Sequence, residues 1–383
     1  MKYREDKYGN KLSILGLGCM RFTRDKAATE KMILAAIDGG VNYFDTAYIY
    51  PSSEVTLGEI LAKNNKRKDV YINTKLPLAM CKKPDDFDKF FNEQLTRLQT
   101  DYIDYYMMHS VSSFDRWKVL CEWGIEDWID KKKKSGQIRQ IGFSYHGTYQ
   151  DFIKIIDAYP WEFCMIQYNY YDEHYQAGRK GLIYAAEKGI PIMIMEPLLG
   201  GRLATGLPKQ AVEIFKKADP RVSPAEWAFW WLWNQDEVTV ILSGMSSLEQ
   251  LQQNIHAASH YRKLKDAVYA DVIELFRKAY KIPCTSCNYC LPCPIGINIP
   301  SCFSAYNTRY TQGLVTGYTQ YMTSTASISQ NPISPRSCNG CGKCEKICPQ
   351  HISIRKELKR VSKKFEPLPV RMLMSIVRWV LGR

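Results

Sequence analysis

Short apolar runs alternate with longer amphipathic segments over the first 280 residues of the chain. The short runs predict buried strands, because strands covered on both faces read as nearly continuous apolar stretches. The predicted strands are Ser13–Gly18, Val41–Phe44, Val70–Thr74, Ile103–Met107, Ile138–Phe143, Cys164–Ile166, Pro191–Met195 and Val238–Leu242. The predicted helices are Lys26–Asp38, Glu54–Lys63, Pro84–Leu98, Asp115–Lys134, Thr148–Ala158, Ala177–Glu187, Lys209–Lys217 and Leu248–Ala258. Eight strands, each followed by a helix, predict an α/β fold, a closed (β/α)8 TIM barrel.

Three further elements complete the predicted barrel domain, residues 1–280. The turn residues Tyr8–Lys11 predict a hairpin ahead of the first barrel strand. An extra helix is predicted over Val222–Asn234, because Ser223 and Pro224 suit its N-cap and first position. A last helix is predicted over Lys263–Tyr280.

The chain has thirteen cysteines, and eight of them form two tight runs after the barrel. The runs are Cys284, Cys287, Cys290 and Cys293, then Cys338, Cys341, Cys344 and Cys348, and a proline follows each. The second run has the C-x2-C-x2-C-x3-C-P spacing of bacterial [4Fe–4S] sites. Zinc also takes C-x2-C pairs, but runs of four that end in Cys-Pro favour clusters. We therefore predict a small ferredoxin-like iron–sulfur domain, a dicluster ferredoxin-type 4Fe-4S domain over residues 281–354 with two [4Fe–4S] clusters.

The ligands of the two predicted clusters are expected to cross between the runs. In two-cluster ferredoxins the fourth cysteine of a run binds the other cluster. One site is thus predicted from Cys284, Cys287, Cys290 and Cys348, and the other from Cys338, Cys341, Cys344 and Cys293. The first run is one residue short before Cys293, and Cys302 is a reserve ligand. The polar insert between the runs, Asn307–Asn331, is predicted to be loop with some helix.

The net charge of +13 is concentrated at the end of the chain. Residues 355–383, predicted to be a basic amphipathic C-terminal tail, contain nine basic residues and two glutamates, a net charge of +7. The tail is interpreted as a solvated or self-docked surface, with a weak membrane-surface contact as the alternative. The sequence shows no nucleic-acid motif, secretory signal or long apolar stretch. Thiolate ligands need a reducing compartment, so a cytoplasmic protein is expected.

Four polar residues lie at the ends of consecutive predicted strands, where barrel enzymes carry out catalysis. They are Asp45, Tyr50, Lys75 and His109. A neighbouring ammonium favours a phenolate, which makes a tyrosine a better acid. The tyrosine can protonate a carbonyl oxygen while hydride reaches the carbon, and a histidine can hydrogen-bond the same oxygen.

The segment from Phe44 to Gly58, with Asp45, Tyr50 and Glu54 inside it, resembles the active-site signature of the aldo-keto reductases. The resemblance implies that Asp45, Tyr50, Lys75 and His109 are a catalytic tetrad for interconverting a small-molecule carbonyl and its alcohol with NAD(P)H. Later segments resemble the nucleotide-binding segments of the family in the same order. The implied cofactor-binding residues are Ser144, Gln167, Tyr170, Pro197, Leu198, Gly200, Arg202, Gly244, Ser246, Gln250, Gln253 and Asn254.

The choice of nucleotide depends on the segment Met245–Ser247. Many relatives place an arginine or lysine there for the 2′-phosphate of NADP, and this segment has no basic residue. The resemblance favours NADP(H), and NAD(H) stays open as the alternative.

The combination of barrel and cysteine runs resembles a subgroup of the family that has a C-terminal ferredoxin-type domain. Two functions remain open. The first is an NAD(P)-dependent oxidoreductase with Tyr50 as general acid, coupled to or stabilised by [4Fe–4S] clusters. The second is an electron-transfer or redox-sensing protein whose barrel binds nucleotide and gates a redox partner. Nicotinamide transfers two electrons together and a cluster transfers one, so an external carrier such as ferredoxin or flavodoxin is a candidate partner.

Overall fold

Eight parallel strands of the computed structural model close into a barrel in the order β10-β3-β4-β5-β6-β7-β8-β9. The structure describes residues 1–23, 25–111, 113–263, 268–325 and 333–371. The strands are β1 Tyr3–Glu5, β2 Lys11–Ser13, β3 Leu15–Gly18, β4 Tyr43–Asp45, β5 Tyr71–Leu76, β6 Ile103–Val111, β7 Ile138–Tyr145, β8 Phe163–Gln167, β9 Ile192–Met195 and β10 Val238–Ser243. The predicted barrel is therefore confirmed.

Helices follow the barrel strands and continue into the C-terminal part of the chain. In the barrel region they are α1 Lys26–Asp38, α2 Ser53–Lys63, α3 Asp86–Leu98, α4 Phe114–Glu122, α5 Ile125–Lys134, α6 Tyr149–Ala158, α7 Gly178–Glu187, α8 Lys209–Ala218, α9 Pro224–Trp233, α10 Leu248–Ser259 and α11 Tyr269–Ala279. After them come α12 Ile299–Thr311, α13 Leu314–Ser324, the short α14 Lys343–Lys346 and α15 Ile354–Phe365.

The predicted N-terminal hairpin is confirmed and lies at the amino end of the barrel. Strands β1 and β2 pair antiparallel. In the turn between them Asp6 accepts a 2.6 Å hydrogen bond from the hydroxyl of Tyr105, near the start of β6. Leu12 of β2 joins the apolar cluster inside the barrel with Tyr43, Met107 and other strand residues. The opposite end, where the barrel strands terminate, is the end at which barrel enzymes have their active sites.

One predicted element is wrong, and another contains more helix than expected. The single helix Asp115–Lys134 is two helices, α4 and α5, because Gly124 between them has a φ of 78°. Glycine adopts this left-handed conformation without steric cost, so it ends one helix before the next begins. The insert Asn307–Asn331 is largely helical as far as residue 324, since it contains the end of α12 and all of α13. The helices bury one face each, as with Tyr306 and Tyr321, in the core of the cysteine-rich region.

Two compact units divide the chain. The barrel unit comprises Met1–Pro197 and Ala228–Leu264, and the cysteine unit comprises Leu198–Trp227 and the chain from Lys265 onward. The loop after β9 thus belongs to the same unit as the cysteine runs. The described start of α11 at Tyr269 is later than the predicted Lys263, and residues 264–267 lie outside the described residues. The predicted boundaries at residues 280 and 354 stay a prediction.

Candidate active site and cysteine sites

Three of the four candidate catalytic residues lie on adjacent strands. Asp45 is the last residue of β4, Lys75 lies near the end of β5, and His109 lies near the end of β6. Lys75 and His109 were expected after their strands, but β5 and β6 extend past them. Tyr50 lies in the loop between β4 and α2. Parallel strands end at the same edge of a sheet, so all four residues belong to the carboxyl end of the barrel.

Asp45 and Lys75 form a buried ion pair. The Lys75 Nζ atom lies 2.6 Å from Asp45 Oδ1 and donates a second 2.6 Å hydrogen bond to the carbonyl oxygen of Thr46. The amide of Asn73 also donates to Asp45 Oδ1. Burial raises the pKa of the Asp45 carboxyl, and the Lys75 ammonium opposes this shift. The carboxylate fixes the position of the ammonium, because an unpaired charge here would be costly.

Lys75 and His109 both lie beside the Tyr50 ring. The Lys75 ammonium is 5.4 Å from the centre of that ring. The ring centres of Tyr50 and His109 are 6.3 Å apart, and the planes are nearly perpendicular. The pKa of His109 is well below its usual value because the ring is buried and faces Lys75 and His146. His109 is therefore neutral at pH 7 and can donate a hydrogen bond without carrying a charge.

A buried network that sequence reasoning missed anchors the loop carrying Tyr50. Glu54 Oε1 accepts 2.6 Å hydrogen bonds from Thr74 and Gln94, and Glu54 Oε2 accepts a 3.2 Å bond from Arg97. Burial raises the pKa of Glu54, and these donors oppose the rise. Glu54 was visible in the family signature, but nothing in the sequence marked its partners. The network joins the start of α2 to β5 and α3.

Residues that end two other barrel strands have the character of a nucleotide site. Ser144 near the end of β7 accepts a 2.8 Å hydrogen bond from the backbone of Ser110. Gln167 at the end of β8 donates to Asp172 at 2.9 Å. The Gln167 Oε1 atom is buried without a hydrogen-bond partner among the described residues. A buried acceptor of this kind fits an N–H donor such as the carboxamide of nicotinamide. Tyr170 is buried close to this strand end.

The candidate adenosine residues surround the start of α10. Ser246 donates to Gln250 Oε1 from its backbone at 3.0 Å and its hydroxyl at 3.3 Å. Gln253 is exposed and bonded to Glu249, whereas Asn254 is buried and donates to Ser243 at 3.1 Å. Gly244, just ahead of them, is exposed.

Arg21 supplies a basic side chain at the place where the sequence had shown none. A Cβ atom placed on Gly244 would lie 3.6 Å from Arg21 Cδ. Arg21 follows β3, the first barrel strand, more than 200 residues away from Gly244 in the chain. Its position directly after the end of β3 is the feature of the sequence that could have indicated Arg21. The strands β3 and β10 are neighbours in the closed barrel, so the residues that follow them come close together. The residues around Met245 in the sequence give no indication of Arg21.

The remaining candidate nucleotide residues follow β9. Pro197 ends the first segment of the barrel unit, while Leu198, Gly200 and Arg202 belong to the cysteine unit. Residues 199–201 form a short 3-10 turn. Their roles in nucleotide binding stay predictions.

The eight cysteines group across the two runs. The pKa of Cys290 is raised to about 12 by burial and by the nearby Cys284, Cys287 and Cys348. The pKa of Cys344 is raised by burial, by Glu345 and by the nearby Cys293 and Cys338. These neighbours match the crossed arrangement expected from ferredoxins. Cys302 instead lies in the apolar core, with no exposed surface.

Each group of cysteines borders a recess of its own. Cys284, Cys287, Cys290 and Cys348 border one recess, named site 1 here. Cys293, Cys338, Cys341 and Cys344 border a second recess, named site 2, which Cys290 also lines. Among the described residues, no three His, Cys, Asp or Glu side chains converge closely enough to hold one metal ion. In a [4Fe–4S] cluster each of four cysteine ligands binds a separate iron atom, whereas the ligands of zinc bind one ion.

Comparison with known protein families finds a matching family model for each of the two parts of the chain. The model of the aldo/keto reductase family matches residues 14–276. The chain belongs to the aldo/keto reductase family. The model of the 4Fe-4S dicluster domain matches residues 283–354, so this aldo/keto reductase also carries a ferredoxin-type domain after its barrel.

Individual relatives agree with this assignment. The chain is 26% identical over 295 residues to "Uncharacterized oxidoreductase YqkF" of Bacillus subtilis, which covers 68% of this chain and 91% of that protein. It is 23% identical over 317 residues to "Aldo-keto reductase yakc [NADP(+)]" of Schizosaccharomyces pombe, with coverage of 70% and 90%. The solved aldo-keto reductase AKR11C1 from Bacillus halodurans (holo form) superposes with a TM-score of 0.61 at 22% identity, over 72% of this chain and 96% of that one. This last likeness supports the fold.

No helix in the described part of this aldo/keto reductase has the length and apolar character needed to cross a membrane. The predicted C-terminal apolar helix lies mostly in residues 372–383, which are outside the described residues.

Proposed function

We propose that this aldo/keto reductase reduces a small-molecule carbonyl with NADP(H) and that Tyr50 is the general acid. The observation that carries the proposal is the meeting of Tyr50 with the Lys75 ammonium and the neutral His109 at the carboxyl end of the barrel. Bound NADPH supplies hydride to the carbonyl carbon. The Tyr50 hydroxyl gives its proton to the carbonyl oxygen, so the product is the alcohol.

The other residues of the site assist that proton transfer by stabilising the charges that it creates. The Lys75 ammonium stabilises the phenolate left on Tyr50, and Asp45 keeps the ammonium charged and in place. His109 donates a hydrogen bond to the carbonyl oxygen as negative charge develops there. In the reverse direction the phenolate accepts the proton of the alcohol.

The preference for NADP(H) is supported by Arg21 beside Gly244 and by the exposed hydroxyl of Ser246. A guanidinium and a helix start are a common setting for a phosphate. The printed name of the S. pombe relative also specifies NADP(+). The buried acceptor of Gln167 supports binding of the nicotinamide carboxamide.

The substitution Tyr50→Phe tests the proposal, because it removes the proton and leaves the ring. We expect turnover of a panel of aldehydes and ketones with NADPH to fall by at least a thousandfold, within the range that general acid catalysis can supply. Nucleotide affinity, measured by fluorescence titration, should stay near the wild-type value. Unchanged turnover would contradict the proposal.

We further propose that sites 1 and 2 each hold a [4Fe–4S] cluster, with the crossed ligands described above. The donor set is all thiolate, which is the normal ligand set of such clusters. Bound clusters supply one-electron transfer. Burial and the neighbouring cysteines raise the pKa of Cys290 and of Cys344, and bound iron would favour the deprotonated thiolates.

A second candidate function, electron transfer through a gated partner, is favoured by the surface around site 2. Cys341 is exposed, and Ile347 has 52% of its surface exposed. The exposed side chains of Lys343 and Lys346 lie in the same short segment. An exposed site with basic neighbours suits an acidic carrier such as ferredoxin or flavodoxin. Anaerobic titration with NADPH, followed by EPR, separates the candidates, because internal coupling requires cluster reduction by NADPH without a carrier.

A further inference from the structure

The loop after β9, residues 198–206, has a backbone that needs external support. Leu199, Gly200 and Gly201 follow one another with φ angles of 49°, 66° and 94°. A leucine in the left-handed region is strained and persists only when its surroundings fix it. Leu199 is buried to 1% exposure. The loop is therefore ordered by what it packs against.

The support comes from the turn between the first two cysteines of site 1. A Cβ atom placed on Gly200 would lie 2.0 Å from the carbonyl oxygen of Thr285 and 2.8 Å from its carbonyl carbon. Backbone is thus in direct contact with backbone, and only glycine allows it. Thr285 is itself 3% exposed. It lies next to Cys284 and two residues before Cys287 in the chain.

Two further hydrogen bonds join the loop 198–206 to the cysteine-rich region. Arg202 Nη2 donates to the hydroxyl of Ser286, the second residue inside the C-x2-C turn, at 3.3 Å. Gln312, at the end of α12, donates to the carbonyl oxygen of Thr205 at 3.0 Å. The Arg202 Nε atom is buried with no hydrogen-bond partner among the described residues. A buried donor of this kind remains available for an anion.

The shape of the turn depends on its two thiolates. Ser286, between the two cysteines, has a φ of 57°, which is uncommon for residues other than glycine. When Cys284 and Cys287 bind one cluster, they hold this conformation from both ends. Without a cluster, this constraint on the two ends of the turn is lost.

We propose that site 1 holds the loop 198–206 in place, so that iron–sulfur ligation at site 1 raises the affinity of the protein for nicotinamide nucleotide. The affinity part rests on the proposed function, together with the contacts of Leu198, Gly200 and Arg202 with the nucleotide that the family resemblance implies. Thr285 and Ser286 are positioning residues in this scheme. Site 1 thereby contributes to a two-electron reaction without passing electrons itself.

The coupling is reciprocal, because two linked equilibria shift each other by the same factor. Nucleotide should protect the iron of site 1 from a chelator and leave the iron of site 2 unprotected. Among the described residues, none of the residues that line site 2 belongs to the loop 198–206, so site 2 serves as the internal reference in each experiment.

The test compares Cys287→Ala, which removes a ligand of site 1, with Cys341→Ala, which removes a ligand of site 2. Both full-length variants are purified anaerobically, and iron analysis should show loss of half the iron in each. Hydrogen–deuterium exchange over residues 198–206 is expected to rise at least tenfold in Cys287→Ala and to stay at the wild-type level in Cys341→Ala. Equal exchange in the two variants would overturn the proposal.

Nucleotide titration provides the second readout. The Kd for NADP(H) is expected to rise about tenfold in Cys287→Ala alone. If the wild-type protein binds no nucleotide, the proposed function fails, while the exchange measurement still decides whether site 1 orders the loop. An unchanged Kd in Cys287→Ala, with nucleotide bound normally by the wild type, overturns the affinity part.

A milder pair of variants covers the case in which Cys287→Ala does not fold. Ser286→Ala removes the acceptor of Arg202 and keeps all eight thiols, and Asn339→Ala is the matched change inside the first turn of the second run. With full iron content in both, exchange over residues 198–206 should rise severalfold in Ser286→Ala only. Wild-type exchange in Ser286→Ala would contradict the proposed positioning role.

Discussion

At the scale of single residues, the candidate nucleotide site depends on residues that come together only in the closed barrel. Arg21 and Gly244 illustrate this, since β3 and β10 become neighbours only when the first and last barrel strands pair. Asp45, Lys75 and His109 could be found from sequence, because each lies near the end of its own strand. Arg21 could not be assigned a role, because its partner residue is remote in sequence.

The substitution Arg21→Leu should weaken NADPH binding about tenfold while leaving NADH binding nearly unchanged. A charge-assisted hydrogen bond to a phosphate is worth roughly 1.5–3 kcal/mol, and only NADPH carries the 2′-phosphate. Fluorescence titration with both nucleotides measures the ratio. The exposed Lys31→Leu in α1 serves as the control for loss of one positive charge. Equal weakening of both nucleotides would assign Arg21 to a phosphate that they share.

His109 should make the protein less stable in mild acid. In the unfolded chain a histidine takes up a proton below about pH 6.5, whereas folded His109 resists protonation because its pKa is lowered. The unfolded state therefore binds more protons, and stability falls as the pH drops below 6.5. The contribution is up to about 1.4 kcal/mol per pH unit.

Urea unfolding at a series of pH values between 5 and 7 checks this sign. His109→Gln should lose less stability on acidification than the wild type. The exposed His174→Gln should follow the wild-type slope. A steeper loss in His109→Gln would show that the folded protein takes up the proton.

At the scale of elements, α2 is the part that positions Tyr50. Its first turn contains Glu54, which is bonded to β5 and α3, and its Gly58 packs closely on α3. A Cβ atom on Gly58 would lie 2.4 Å from the carbonyl oxygen of Arg97 and 2.6 Å from the carbonyl carbon of Leu98. The helix contact is therefore too close for any side chain at this position.

Gly58→Ala should destabilise the protein by about 1–3 kcal/mol, because backbone atoms cannot move aside as a side chain can. The shift of α2 should also lower kcat. Denaturant unfolding and steady-state kinetics measure the two effects. Glu59→Ala, a change at a neighbouring position whose Lys26 partner is largely exposed, should have little effect on either. A stable and fully active Gly58→Ala would contradict the close contact.

Some helix boundaries could be predicted from the sequence, and others could not. The prediction of α1 has the bounds seen in the structure, because Asp25 caps it by accepting a hydrogen bond from Ala28. The break at Gly124 was missed because the periodic apolar pattern continues across it, and glycine also occurs inside helices. The helices α12 and α13 were missed because their polar composition resembles a loop, although tertiary packing stabilises them.

At the scale of the whole molecule, the crossed cysteine groups make the two runs interdependent. Cys348→Ala should remove the cluster of site 1, although Cys348 belongs to the second run. Cys338→Ala should remove the cluster of site 2. EPR of the reduced proteins distinguishes the two losses, and the loss of the same signal in both variants would contradict the crossed arrangement. The sequence pattern predicted this arrangement because the second run has the ferredoxin spacing.

The basic surface near site 2 should govern exchange with an acidic electron carrier. The double variant Lys343→Glu and Lys346→Glu should slow electron transfer from a photoreduced acidic ferredoxin at least tenfold at low salt, with the difference shrinking as salt rises. Stopped-flow absorbance measures the rate. The same charge change at Lys131 and Lys134 in α5 should have a smaller effect, and equal slowing would point to net charge alone.

The proposed crossing of ligands between the runs would have a consequence for how such a domain is made and inherited. Synthesis would have to reach Cys348 before site 1 is complete, so iron delivery to that site would follow the translation of almost the whole chain. A gene truncation or recombination between residues 294 and 337 would leave four cysteines of the runs on either side of the break, three for one site and one for the other, and neither site would keep its full set. With crossed ligands, the two runs would therefore be gained or lost together.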